Sequence, residues 1–130
     1  IDELKDAAIA FIDNGGGDGK IDEGEPTGPC NYCKGERSIK SSDHPNKAII
    51  SVQSDRGTEY GTYLKVQNEL IRAYSDLRNI LSKERYGIPF PELEDSYKDD
   101  RANLELKKKV EDIKRSYPEI ISDSEPTSSN

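Results

Sequence analysis

The chain has 130 residues, of which 32% are hydrophobic and 35% are charged, a length and composition that suit one domain with a modest core and long solvated segments. Its net charge of -7 makes nucleic acid and anionic membrane surfaces poor partners, because both are bound by a basic face. No apolar run in the sequence approaches the roughly 20 residues that cross a bilayer.

The first predicted element is a short amphipathic helix in IDELKDAAIAFIDN, which ends at Asn14 and the glycines after it. Residues 14–46 are rich in glycine and proline and poor in large apolar side chains, so they are predicted to form a long irregular insertion. The apolar side chains of the helix recur at spacings of three and four: Leu4, Ala7, Ala8 and Phe11.

A strand and a long helix follow. The run AIISV, residues 48–52, is typical of a strand buried on both faces. Residues 59–86 are predicted to form one helix of about 27 residues, which would span ~40 Å at ~1.5 Å per residue. We expect its far end to project or to pack on a partner, and Gly87 to occupy its C′ position. The apolar residues of this helix alternate steps of three and four: Tyr63, Val66, Leu70, Ala73, Leu77 and Ile80.

The C-terminal part is predicted to contain a linker, a helix and a strand. The linker is IPFPELEDS, residues 88–96, and the helix covers residues 100–116. Ile120 and Ile121 form a short candidate strand. One face of the helix carries Leu106, Val110, Ile113 and Tyr117.

This order predicts an α+β fold, a small sheet with helices packed on one face. Residues 1–125 form a single domain with the insertion at 14–46, and residues 126–130 form a tail. Two strands do not make an independently stable sheet. We therefore expect further strands, either from a longer protein of which this chain, starting at Ile1, is a piece, or from another chain.

The insertion begins with a segment that ends like a calcium-binding EF-hand loop. Placing Glu25 at the twelfth position puts Asp18 at the fifth, a glycine at the sixth and Asp22 at the ninth. The first and third positions then fall on Asn14 and Gly16, so two carboxylates that attract the ion are missing. The alternative is a flexible acidic loop that associates weakly with calcium through Asp13, Asp18, Asp22, Glu23 and Glu25.

The insertion continues with a Cys-x-x-Cys pair, Cys30 and Cys33. A structural zinc site needs four ligands, and His44, the one histidine, offers at most a third. A local disulfide in an oxidising compartment and two loop thiols are the other interpretations. The stretch thus leaves open a calcium- or zinc-dependent binding module centred on residues 13–44. No catalytic residue, cofactor or metal ligand is predicted, because no acidic pair lies in an apolar setting and His44 lies in a turn.

Residues 47–74, KAIISVQSDRGTEYGTYLKVQNELIRAY, resemble the periplasmic core of the ExbD/TolR family of biopolymer transport proteins. The family pattern is a buried strand, an aspartate, a short turn, a tyrosine and an apolar-patterned helix, with Asp55 and Tyr60 at the two marked positions. The continuation SDLRNILSKERYG is similar to the Bacteroidetes type of ExbD. The resemblance implies that two strands of the family fold precede this chain and that residues 14–46 are an insertion.

The resemblance also implies a function. Family members are inner-membrane proteins with a single span and a soluble periplasmic domain, and they are not enzymes. They act as homodimers with an ExbB/TolQ-like channel subunit, and pass the proton motive force to a TonB- or TolA-like protein that acts on the outer membrane. The proton-carrying aspartate of the family lies in the transmembrane helix, so we expect no residue of this chain to have that role.

Within the resemblance, the sheet can receive a strand from a partner through main-chain hydrogen bonds. The alternatives are that the apolar candidates are simple core strands, that Asp55 caps the turn and that Tyr60 fills the core. The long helix packs either on the sheet or on a second subunit. The candidate partner-binding residues are Ile49, Ile50, Val52, Asp55, Tyr60, Ile120 and Ile121.

Overall fold

A computed structural model describes residues 2–16, 21–22, 25–26, 30–38, 41–42, 44–53, 57 and 59–124. Over these residues the fold is α+β, with four helices, a two-stranded parallel sheet and an antiparallel ribbon of two strands with two residues each, which confirms the predicted class. The elements follow in this order: α1 (Asp2–Ile12), β1 (Ile21–Asp22), β2 (Glu25–Pro26), a 3-10 turn (Pro45–Lys47), β3 (Ile50–Gln53), α2 (Tyr60–Tyr86), α3 (Phe90–Asp99), α4 (Leu104–Ser116) and β4 (Ile121–Ser124).

The parallel sheet joins β3 to β4, which are far apart in sequence. Ile50 is opposite Ile121, and the Ile50 N–H donates to the Ile120 carbonyl oxygen at 3.0 Å. Parallel strands need a long crossover connection, because a tight turn reverses the chain. Here α2, α3 and α4 together form that crossover, so the whole helical layer separates the two strands in sequence.

The prediction that the first strand is buried on both faces is wrong. β3 begins at Ile50, after the predicted Ala48 and Ile49, and only Val52 within it is buried. Ser51 is exposed on the opposite face, and Ile49 just before the strand is 60% exposed. The reason is that the helices cover only one face of this two-stranded sheet, and no described residue covers the other face.

The long helix α2 has almost the predicted bounds, but Ile80, the last residue of its predicted apolar face, is 48% exposed. It runs from Tyr60 to Tyr86, and Gly87 follows it in the left-handed region with φ 79°. Its N–H donates to the Lys83 carbonyl oxygen at 3.0 Å, so Gly87 occupies the predicted C′ position. The prediction that the far end projects is wrong, because the less buried end is the N-terminal one: within residues 60–69 only Tyr63 and Val66 pack partly against the core, and full burial begins at Leu70.

The segment predicted as a linker is a helix. α3 spans Phe90–Asp99, with Pro89 as its N-cap and Pro91 in its first turn. Proline is tolerated there because the first amide groups of a helix have no intrahelical acceptor. The helix is held by its apolar side: Phe90 and Leu93 are buried, and the Phe90 N–H donates to Asn79 Oδ1 at 3.1 Å.

The last helix begins later than predicted and buries the predicted face. Asn103 is its N-cap, and its side-chain oxygen accepts hydrogen bonds from the amides of Glu105 (3.0 Å) and Leu106 (3.2 Å). The helices and β3 share one core around the buried side of α2. The buried members of that core are Ala8, Ile12, Ala48, Val52, Leu70, Ala73, Tyr74, Leu77, Leu81, Phe90, Leu93, Val110, Ile113 and Tyr117.

Candidate interaction site

The predicted partner-binding residues separate into core-facing and exposed groups. Val52 is buried in the core, and Ile50 and Ile121 pack partly against it. Ile120 is half-buried and supplies the carbonyl that anchors β3. Ile49 is the exception in the strand region, because 60% of it is exposed just before β3.

Both sheet strands have an open edge within the described part of the chain. β3 pairs only with β4, and β4 only with β3, so each presents one row of backbone groups without a neighbouring strand there. An exposed edge is a template for pairing with another strand. A sheet of two strands is also marginal by itself, so a third strand at either edge would stabilise it.

The N-terminal half of α2 carries a second group of exposed apolar side chains. Tyr60 is 74% exposed, so the interpretation that it fills the core is wrong. Its ring stacks on that of Tyr63, with centroids 6.5 Å apart. Leu64 and Ile71 are 41% and 43% exposed and lie four and eleven residues after Tyr60, which places all three on one side of the helix. We call Tyr60, Leu64 and Ile71 the projecting face; Asp55 lies outside the described residues.

The cysteine segment is tied closely to the end of α1. Cys30 and Cys33 are joined by a disulfide, with Cα atoms 5.5 Å apart, and both residues are buried. The Gly35 N–H donates to the Asp13 carbonyl oxygen at 2.9 Å, and the Arg37 N–H donates to the Asn14 carbonyl oxygen at 3.0 Å. Residues 30–38 therefore form an irregular but packed cap on the helix.

The buried side chain of Asn14 forms hydrogen bonds to backbone groups of this cap and of the segment that follows it. Its side-chain amide donates to the carbonyl oxygens of Ser38 (2.9 Å) and Ser42 (2.7 Å), and its oxygen accepts from the Ser38 N–H at 3.0 Å. One buried side chain thus satisfies three backbone groups from a segment more than twenty residues away. Such networks fix a loop without any regular secondary structure.

Asp13 is a buried carboxylate at the centre of the cap. Its Oδ1 accepts a hydrogen bond from the Tyr117 hydroxyl at 2.6 Å, and its Oδ2 accepts from the Lys34 N–H at 3.1 Å. Burial raises the pKa of Asp13 above its ordinary value, although both hydrogen bonds act in the opposite direction. Burial and the Asp13 carboxylate together raise the pKa of Tyr117, so its hydroxyl keeps its proton and acts as the donor.

Tyr32 joins the cap to α4. Its hydroxyl donates to the Ser116 carbonyl oxygen at 2.7 Å, and its ring meets that of Tyr117 edge-on at 5.3 Å. The guanidinium of Arg85 lies 5.2 Å from the Tyr32 ring centroid. Burial raises the pKa of Tyr32 to about 12. The cap therefore links α1, α2 and α4 through hydrogen bonds and aromatic contacts.

The metal interpretations can be compared with this geometry. Glu25 lies in β2, opposite Asp22, where an EF-hand would begin its exiting helix. Asp13 is engaged by Tyr117 and Lys34, and His44 packs edge-on against Tyr32 at 5.8 Å. Among the described residues, no three His, Cys, Asp or Glu side chains converge as metal ligands. Asp18 and Glu23 lie outside those residues.

Sequence reasoning missed the buried polar cluster around Asp13. It treated Asp13 as a solvated loop acid, whereas the structure places Asp13 beside Tyr117, 104 residues away. The signal in the sequence was the pair Asp13–Asn14 directly after an amphipathic helix, because Asp and Asn side chains readily hydrogen-bond to backbone groups. Nothing in the sequence identified Lys34 and Tyr117 as the partners of Asp13.

Comparison with known proteins adds no assignment. Of the helices in the described residues, none combines the length and the apolarity needed to cross a membrane. The chain matches no family model, no curated protein and no solved structure.

Proposed function

We propose that the chain is the periplasmic domain of an ExbD/TolR-like subunit in a proton-motive-force-driven, TonB-ExbB-ExbD-like transport complex of the inner membrane. In this role the domain is not an enzyme. It forms a homodimer, works with an ExbB/TolQ-like channel subunit, and couples inner-membrane energy to outer-membrane uptake through contacts with a TonB- or TolA-like protein. The full-length protein is anchored by a single span outside this chain.

The observation that carries the proposal is the unit made by β3 and α2. The strand Ile50–Gln53 leads through a short connection into a 27-residue helix that starts at Tyr60. This is the order of elements that the family pattern requires of residues 47–74. Tyr60 begins the helix on the exposed side, where it is accessible to another protein.

Two further features support a docking role. The β3–β4 sheet has open edges within the described residues, and strand addition to an open edge gives affinity with little demand on sequence. The projecting face of α2 adds apolar area that no described residue buries. Neither feature resembles a catalytic pocket, and both suit contacts between proteins.

Genetic deletion tests the proposal. We expect loss of the gene in the source bacterium to abolish energy-dependent uptake across the outer membrane, and the intact gene to restore it. The epitope-tagged full-length protein should co-purify with an ExbB/TolQ-like channel subunit. Normal uptake in the deletion strain together with absence of the channel subunit from the purified complex would refute the assignment.

A further inference from the structure

A cavity of about 150 Å³ lies between α3 and α4, away from the sheet and the cysteine cap. By the same measure a single water needs roughly 10–15 Å³, so this space accommodates a group much larger than water. Val110 forms an apolar, buried part of its wall. The lining residues are Glu94, Tyr97, Lys98, Arg101, Val110 and Lys114.

The lining of the cavity carries more cationic than acidic side chains, although the chain is acidic overall. Lys98, Arg101 and Lys114 are cationic and Glu94 is anionic, so the lining side chains sum to +2, whereas the whole chain carries -7. The one ion pair, from Lys114 Nζ to Glu94 Oε2, is long at 3.8 Å. Neither Lys98 nor Arg101 forms an ion pair with any residue of the described ranges. Two cations therefore remain available to a ligand.

Arg101 is held in place by an aromatic ring. Its guanidinium carbon lies 4.8 Å from the centroid of the Tyr97 ring, within the range of a cation–π contact. Stacking of this kind restrains the guanidinium while its N–H groups stay free to donate at the edge. The neighbouring acid Asp100 is turned to α4, where its Oδ2 accepts from Asn103 Nδ2 at 3.2 Å.

We propose that this cavity binds a phosphoryl dianion, the group of a phosphate monoester. A planar guanidinium matches two oxygens of one phosphoryl group, and the lysine ammonium groups supply point charges around it. The local charge of +2 balances the two negative charges of the ligand. The phosphoryl group belongs either to a soluble monoester or to the headgroup of a phospholipid, and the two sources share this chemistry.

Nuclear magnetic resonance titration of the whole 130-residue chain tests the proposal. Inorganic phosphate and glycerol phosphate should each shift the amides around Tyr97, Arg101 and Lys114 in a saturable way. Vesicles of phosphatidylcholine with and without phosphatidic acid form the lipid arm. Saturable shifts with glycerol phosphate but no binding to either kind of vesicle identify a soluble ligand. Binding to vesicles that contain phosphatidic acid, but not to vesicles of phosphatidylcholine alone, identifies the lipid headgroup.

Matched variants distinguish phosphate binding in the cavity from general electrostatic attraction between phosphate and the chain. Arg101→Gln and Lys98→Gln should each weaken phosphate binding roughly tenfold, because each removes a charged hydrogen-bond donor. Arg101→Lys keeps the charge and loses the paired donors, so its effect should be intermediate. Lys65→Gln removes the same charge at an exposed position of α2 that does not line the cavity, so it should leave the affinity within about twofold.

The pH dependence gives an independent check. A phosphate monoester loses its second charge below its pKa of about 6, so affinity should fall as the pH is lowered from about 7.5 to about 5.5. Thermal melts of each variant verify that the fold is intact. Shifts that do not saturate in any arm, or an equal loss of affinity in Lys65→Gln, would overturn the proposal.

Discussion

The hydroxyl of Tyr117 donates a 2.6 Å hydrogen bond to Oδ1 of Asp13, and this contact joins the end of α4 to the end of α1 across 104 residues. The second carboxylate oxygen of Asp13 accepts from the Lys34 N–H at 3.1 Å, which brings in the cysteine cap. Three separate parts of the chain therefore meet at one buried carboxylate. Its hydrogen bonds and its protonation state should both be measurable in the stability of the domain.

Removing the donor from this contact should be costly. Tyr117→Phe keeps the ring in the core but leaves Asp13 Oδ1 buried without its partner. We expect the free energy of unfolding to fall by about 1.5–3 kcal/mol, the range for a hydrogen bond to a charged group. Urea denaturation followed by circular dichroism measures it. The control Tyr60→Phe removes a hydroxyl from an exposed ring and should change stability by less than about 0.5 kcal/mol.

The burial of Asp13 predicts a specific dependence of stability on pH. Because burial raises the pKa of this carboxyl above its ordinary 3.8, the folded chain holds the proton more tightly than the unfolded chain does. The resulting stabilisation is full below that pH and is lost as the pH rises through the folded-state pKa.

The variant Asp13→Asn isolates this contribution, since all other carboxyl groups are common to both proteins. We expect the unfolding free energy of the wild type, minus that of the variant, to decrease as the pH rises above 3.8. Denaturant titrations of both proteins at several pH values provide the comparison. A difference that grows with pH would mean that the hydrogen bonds from Tyr117 and Lys34 outweigh burial.

The approach of the cysteine cap to α1 leaves no room for a side chain at Gly35. A Cβ there would lie 2.5 Å from the Asp13 carbonyl oxygen and 2.7 Å from the Asn14 Cα. Gly35→Ala should therefore destabilise the domain by about 1–3 kcal/mol, as overpacking does.

The same substitution at an open position is the matched control. A Cβ on Gly61, in the first turn of α2, meets nothing within 4 Å. Gly61→Ala should leave stability unchanged or raise it by up to about 1 kcal/mol through helix propensity. Thermal melts of both variants distinguish the two outcomes, and equal melting temperatures would contradict the close packing of the cap.

Removing a buried hydroxyl from α2 should raise the stability of the domain rather than lower it. Ser82 is fully buried, and its Oγ has no hydrogen-bond partner among the described residues. Ser82→Ala removes this polar group and introduces a better helix former, so the unfolding free energy should rise by about 1 kcal/mol. Destabilisation by a similar amount in urea titrations would show that the hydroxyl is bonded.

The sequence pattern predicted regular elements well where periodicity was long. The apolar residues of α2 recur over many turns, and Gly87 marks its end, so both its length and its C′ residue were predictable. α3 was missed because Pro89 and Pro91 indicate a linker, whereas at a helix start they are compatible with the fold. The apolar pair Phe90 and Leu93 carried the missing signal.

The candidate site was less predictable, because its contacts are distant in sequence. Tyr60 and Tyr63 are three residues apart in the same helix, yet Tyr60 is exposed and Tyr63 packs partly against the core. The periodicity placed Tyr63 on the apolar face with Leu70 and Leu77, whereas the exposure of Tyr60 depends on which elements pack around the start of the helix. The Asp13–Tyr117 contact depends on how α1 and α4 pack, which no local pattern encodes.

We proposed that β3 and α2 present a docking surface for an energy-coupling complex, and site-specific photo-crosslinking in the source organism tests this proposal most directly. A photoreactive residue replacing Ile49 or Tyr60, both exposed, should cross-link to the TonB/TolA-like protein or the channel subunit, and a protonophore should change the yield. The same residue replacing the exposed Glu111 on α4 should not. Absence of these partners from the Ile49 and Tyr60 products, or their equal capture from position 111, would contradict the account.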